Sequence, residues 1–167
     1  LANETAKRSL LANGIVFTSQ GIPFIHAGDE LLRTKYGDHN SYRSPDAVNA
    51  INWHNKEDFI DVNQYYKGLI KLRKEHSAFR MTTRKDINDH WQLLQSSNDV
   101  VAFKLGEHAN NDTWKNIIVI YNGASEGRNV ELPTGDWNVV VNNEAAGTAI
   151  IDTVSGTVTV PAISMMV

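Results

Sequence analysis

The sequence predicts an α+β fold: the last βα unit of a TIM barrel, incomplete by itself, followed by an all-β antiparallel sandwich domain. Helical spacing recurs from Asn3 to Ser19 and again from Asp61 to Ser77. Between these helices the apolar run Ile22-Pro23-Phe24-Ile25 ends in His26, Gly28, Asp29 and Glu30 and opens into a long polar loop. Beyond about residue 87 the hydrophobic period changes from 3.6 to 2. The division is therefore residues 1–80 for the barrel end and 87–167 for the sandwich.

In the first helix Ala6, Leu10, Leu11 and Ile15 fall on one face, with Asn3 as N-cap. Gln20-Gly21 stops it, Gly21 suiting the left-handed C′ position. Ile22 to Ile25 reads as a short buried strand, although Pro23 forfeits a ladder hydrogen bond. A helical turn is expected over Glu30 to Arg33. Tyr36 to Asn55 is rich in turn chemistry, and a loop of that length is usually functional. Asp61 with Gln64 forms a capping-box-like pair. Val62, Tyr65, Tyr66, Leu69, Ile70, Arg73 and His76 then follow along one face.

Strands are expected at His90–Gln95, Val100–Leu105, Asn116–Tyr121, Arg128–Leu132, Trp137–Val141, Thr157–Val160 and Ser164–Val167. Turns such as Ser97-Asn98-Asp99, Asn122-Gly123 and Ser155-Gly156 separate them. In the second strand Val101, Phe103 and Leu105 take one face, Ala102 and Lys104 the other. Short strands at near-regular spacing point to an antiparallel sandwich. The lone strand in residues 1–80 needs neighbours, because parallel sheets are covered on both faces. That segment, and a first residue that is Leu1 rather than Met, read as a piece of something longer. Its barrel-facing apolar surface would favour self-association.

The chain has 167 residues, 41% of them hydrophobic, which supports a real core. A net charge of -3, with no Lys/Arg cluster interleaved with aromatics, argues against a nucleic-acid partner. The absence of cysteine excludes disulfides and thiolate metal sites. No apolar run approaches the roughly 20 residues of a membrane helix. The compartment, secreted or cytoplasmic, stays open.

TSQGIPFIHAGDELLRTKYGDHNSYRSPDAVNAINW, followed by YYKGLIKLRKEHSAFR, resembles the end of the catalytic barrel of type I pullulanases. These are α-amylase-superfamily glycoside hydrolases that cleave α-1,6 branch linkages in pullulan and related α-glucans. Residues 87–167 are similar, by position and pattern, to the sandwich that follows that barrel. The resemblance implies that Ile22–Ile25 is the eighth barrel strand and Asp61–Ser77 the eighth helix. The loop between them lines the glucan cleft. Asn40 falls where family members place a polar side chain against a glucose unit, although some relatives have aspartate there. Asp38, Ser41 and Tyr42 flank it, and Glu30 occupies a recurrent G-D/Q/S-E position.

The family's nucleophile, general acid and third carboxylate come from the fourth, fifth and seventh strands, none of which is in this sequence. Retaining glycosidases need two carboxyl groups about 5–5.5 Å apart. Adjacent Asp29 and Glu30 would point to opposite sides of a strand and make a poor substitute. The chain alone is expected to hold no catalytic set, no cofactor and no metal. Substrate contact is expected from Asn40, Asp38, Tyr42, Ser41 and Glu30. Glu30 has a second reading, as a structural carboxylate bonding loop backbone. Arg33 and Arg43 read as loop-anchoring salt bridges, and His76 as a packed histidine. The spacing of His26, His39 and His54 matches no metal-ligand pattern. Trp137 reads as core, Trp114 as exposed beside Asn111-Asp112, and Trp91, Trp114 and Trp137 together as a less favoured sugar platform. Two alternatives remain: a non-catalytic sandwich module binding polysaccharide or a partner, and a piece of an α-1,4-acting amylase relative.

Overall fold

The computed structural model describes residues 3–97 and 99–167, so Asn98 of the Ser97–Asp99 turn lies outside the described residues. Helix α1 spans Glu4–Thr18, and its N-cap Asn3 accepts from the amides of Thr5 (2.8 Å) and Ala6 (3.4 Å). The buried stripe is Ala6, Leu10, Gly14, Phe17 and Thr18. Ile15, expected on this face, is 38% exposed. The reason is Met165, whose Sδ lies 2.3 Å from where a Cβ on Gly14 would sit. A glycine invisible to hydrophobic periodicity thus marks the closest contact. The C-cap is Ser19, so Gly21, left-handed at φ +97° as expected, sits at C″ and not at C′.

Ile22 to Ile25 does not form a strand. The backbone is irregular there, with Ile22 98% and Phe24 90% exposed. No partner strand lies beside it among the described residues, so its amides and carbonyls have no ladder to join, and Pro23 has no amide to offer.

After the loop come two single-turn helices, α2 (Asp46–Asn49) and α3 (Asn55–Asp58), then the long helix α4 (Ile60–Glu75). The Asp61–Gln64 capping box is absent, because α4 starts at Ile60 with Phe59 as N-cap. Asp61 instead sits inside the first turn, where its charge complements the helix dipole. Val62, Tyr65, Tyr66, Leu69, Leu72 and Arg73 are buried, whereas Ile70 is 39% exposed. A further helix not anticipated from periodicity, α5 (Arg84–His90), is capped by Thr83, whose hydroxyl accepts from Asp86 N at 3.1 Å.

The strands are β1 (Trp91–Ser97), β2 (Val100–Leu105), β3 (Ile117–Asn122), β4 (Arg128–Val139), β5 (Asp152–Val160) and β6 (Ser164–Met166). They form an antiparallel sheet in the order β1-β2-β3-β6 and a β4-β5 ribbon. The two strands expected at 128–132 and 137–141 are one long β4, with a register shift between Glu131 and Asp136. Its partner β5 starts at Asp152, well before the expected Thr157.

The larger sheet is buried on both faces. Phe103, Leu105, Ile117, Val119, Tyr121 and Met165 pack with Leu10, Phe17, Val62, Tyr66 and Leu69 from α1 and α4. Val100, Ala102, Ile118 and Ile120 pack with Val130, Leu132, Val158 and Val160 of the ribbon. This double burial explains why all six residues of β3 are buried. Val101 shares the face of Phe103 and Leu105 but is 38% exposed, outside the cluster that buries them. The chain is thus α+β with helices, a central antiparallel sheet and an outer ribbon in successive layers.

Helix α4 is the seat of the sheet module. The Tyr65 hydroxyl donates to Asn142 O at 2.8 Å, and Gly68 lies directly under the Ala146 carbonyl. Gln20 ties the end of α1 to the end of α4: its amide donates to Ala78 O and accepts from Met81 N, each at 2.8 Å.

Candidate functional site

The loop begins with Gly28 at φ +100°, where a Cβ would come within 2.7 Å of Arg33 Cδ. A 3-10 turn over Asp29–Leu31 follows. In it Glu30 Oε2 accepts from Gly28 N at 3.0 Å, which is the structural-carboxylate role. Asp29 turns toward His26 Nδ1, 3.7 Å away. The two adjacent carboxylates thus serve different partners.

The Arg33 guanidinium donates to Ala27 O (3.0 Å) and to Asn49 O. Arg43 lies 5.8 Å from the centre of the Tyr42 ring. Neither forms the expected salt bridge among the described residues: the cations meet carbonyls and an aromatic face. Asp38 accepts from Asn40 N (3.0 Å) and from the Ser44 hydroxyl, and these bonds, the Ser44 one foremost, hold its pKa below the usual carboxylate value.

Asn49 is the hub. Its Oδ1 accepts from Lys35 Nζ (2.6 Å), and its Nδ2 donates to Ser41 O (2.8 Å) and Ser44 O (2.6 Å). Asn55 adds a bond from Nδ2 to Leu31 O at 3.1 Å. Asp38, Asn40, Ser41 and Tyr42 are thereby gathered on one braced turn, while Glu30 sits in the preceding turn. Asp38 and the Ser41 carbonyl are committed to the brace. The Asn40 side chain is exposed and Tyr42 is 78% exposed. Tyr36 and Trp53, at 75% and 66%, add exposed aromatic surface to the same loop. The arrangement offers amide and phenol groups to solvent from a fixed backbone, a form suited to binding a hydroxylated ligand.

Sequence reasoning missed Asn49 and underused Arg73. The Ser44-Pro45-Asp46 turn signals a bend near Asn49, but spacing does not reveal that the amide points inward. Arg73 is buried and donates to Phe17 O (2.8 Å), Ser19 O (2.7 Å) and Gly21 O (2.5 Å), capping α1 from outside. His26, His39 and His54 belong to no group of three or more metal-capable side chains among the described residues.

At the C-terminal end of α4, His76 is buried as expected, with Nδ1 2.9 Å from Asp112 Oδ1. Trp114 is half-buried rather than exposed, because it stacks on the His76 ring at 3.4 Å. Trp91 stacks on Phe103 at 5.6 Å, whereas Trp137 packs against the ribbon core and shares a cleft with Trp114.

The family described as "Pullulanase, all-beta domain" matches residues 87–145. The pullulanase of Bacillus subtilis is 40% identical over 133 residues, covering 78% of this chain and 18% of the relative. The structure of the pullulanase from Bacillus acidopullulyticus superposes with a TM-score of 0.94 at 45% identity, covering 98% of this chain and 20% of that one. The pullulanase from Anoxybacillus sp. LM18-11, complexed with maltotetraose, gives 0.88 at 32% identity, covering 98% and 23%. The chain spans about a fifth of the length of these relatives.

Proposed function

We infer that this chain, a relative of the pullulanases in both sequence and fold, is the C-terminal part of a debranching glycoside hydrolase that cleaves α-1,6 linkages in α-glucans. Residues 1–80 supply the last βα unit of its barrel, and residues 87–167 supply the covering sandwich. The observation that carries this reading is the apolar segment Ile22–Ile25, with Ile22 and Phe24 almost fully exposed and Ile25 half-buried, which leads directly into the braced polar loop. A strand sequence without a ladder gains its hydrogen bonds once neighbouring barrel strands stand beside it. Ligands of such barrels bind at the C-terminal ends of the strands, which is where this loop begins.

In the intact enzyme the Asn40 amide takes a glucose hydroxyl pair and Tyr42 lies against a sugar face. Asp38, Ser41 and Glu30 hold that surface in place. The retaining chemistry needs a nucleophile and an acid about 5–5.5 Å apart. Asp29 and Glu30 do not supply that pair, since Glu30 is bonded to Gly28 N and Asp29 faces His26. The bond-breaking carboxylates come from other strands, and this chain positions substrate.

The test is sugar release from pullulan by the purified chain of verified mass. No release is expected. Release by the 167-residue species would overturn the reading and make Glu30 and Asp38 the first residues to replace.

A further inference from the structure

The central sheet and the β4-β5 ribbon close on each other around Val130 and Val160, but not along their whole length. Past the register shift between Glu131 and Asp136 a cavity of 600 Å³ lies between them. It is a cleft partly open to solvent, not an enclosed void in the core. A gap of this size is within the range of small-molecule sites, about 300–1,000 Å³.

Its lining is chemically specific. Trp137 and Ile150 line the ribbon side, and Ile118 lines the sheet side. The Trp137 indole N–H already donates to Pro133 O at 3.0 Å, and its half-buried ring borders the cleft. Ile150 is 63% exposed at the mouth. Trp114, Lys115, Asn116 and Asp136 are also among the residues that line it. An apolar protein segment seated here would desolvate the amide, ammonium and carboxylate without pairing them. A pyranose has an apolar C–H face for the indole and hydroxyls for those three groups.

We propose that this inter-sheet cavity binds a short stretch of α-linked glucan against the Trp137 indole, a second sugar contact contributed by the sandwich. The ligand class rests on the debranching reading above, whereas the cavity and its lining do not. None of these lining residues belongs to the Glu30–Trp53 loop.

Titration of the full chain with maltohexaose, followed by the indole N–H resonances of its tryptophans, tests this directly. The Trp137 signal is expected to shift saturably, with cellohexaose giving no comparable shift. Trp137→Ala should weaken binding by at least about fivefold. Should that variant fail to fold, Asp136→Ala at the exposed edge is expected to weaken it as well. Shifts confined to Trp53 would place the sugar on the loop and overturn the cavity proposal while leaving the debranching reading intact. No binding, or equal binding of cellohexaose, would also overturn it. Pullulan hydrolysis by a longer enzyme is a separate readout that none of these outcomes decides.

Discussion

Replacing Arg73 should unseat the end of α1. The last turn of α1 carries no basic residue of its own, yet its final carbonyls and the negative end of its dipole call for a cation. Arg73 of α4 supplies one from outside, bonding the carbonyls of Phe17, Ser19 and Gly21, while its own carbonyl accepts from Arg80 Nε at 3.0 Å. Burial first, then the Arg80 charge, lower its pKa, a cost those carbonyl contacts offset. Hydrogen bonds to a charged group contribute about 1.5–3 kcal/mol each, and water can replace the one at the more open Gly21 carbonyl. Arg73→Met keeps the aliphatic stem but strands the two inner carbonyls, so a loss of about 3–5 kcal/mol is expected. Arg73→Lys, with one donor head instead of a fork, should recover less than half of it. With a urea m-value of about 2 kcal/mol/M, Arg73→Met moves the unfolding midpoint down by about 1.5–2.5 M. A midpoint change under about 0.5 M at unchanged m would refute the capping role.

Other positions give equally direct outcomes. Gly68→Ala adds a Cβ 1.9 Å from the Ala146 carbonyl oxygen, so thermal melts should show a loss of about 1–3 kcal/mol where a free helix would gain from alanine. Asp112 is pushed up by burial, but bonds from Ala78 N (2.9 Å), the His76 ring (2.9 Å) and Trp114 N (2.8 Å) outweigh this and lower its pKa. Its contribution is therefore complete above the unfolded carboxylate value near ~3.9 and is lost as pH falls through the lower folded value. Asp112→Asn should reduce stability at neutral pH and flatten its fall below about pH 4 in acid titrations followed by near-UV circular dichroism. Asn49→Ala removes the bonds to Lys35, Ser41 and Ser44, so hydrogen exchange over 41–49 should quicken while α4 keeps its protection.

Helices and most strands were legible because their signals are local. Asn3 capped α1 and His76 packed where the helix face placed it, whereas residue 87, where the hydrophobic period changes, lies inside α5 and the sheet begins at Trp91. What escaped depends on contacts distant in sequence. Gly14 is chosen by Met165, and Val101, on the face of Phe103 and Leu105, lies outside the cluster that buries them. Ile22–Ile25 has the composition of a strand, but a strand exists only through its partners. In the loop, residue types suggested a polar surface, and Glu30 took the structural role that its neighbours allowed. The brace through Asn49 depends on how the loop closes, which no spacing encodes.

The central claim is that this chain completes the glucan cleft of a debranching enzyme. It is tested most directly by exchanging residues 1–167 for the matching segment of the Bacillus subtilis pullulanase and measuring sugar release from pullulan. A chimera that hydrolyses pullulan, and loses catalytic efficiency on Asn40→Ala, is the predicted result. A folded chimera without activity, or one indifferent to Asn40 and Tyr42, would contradict it.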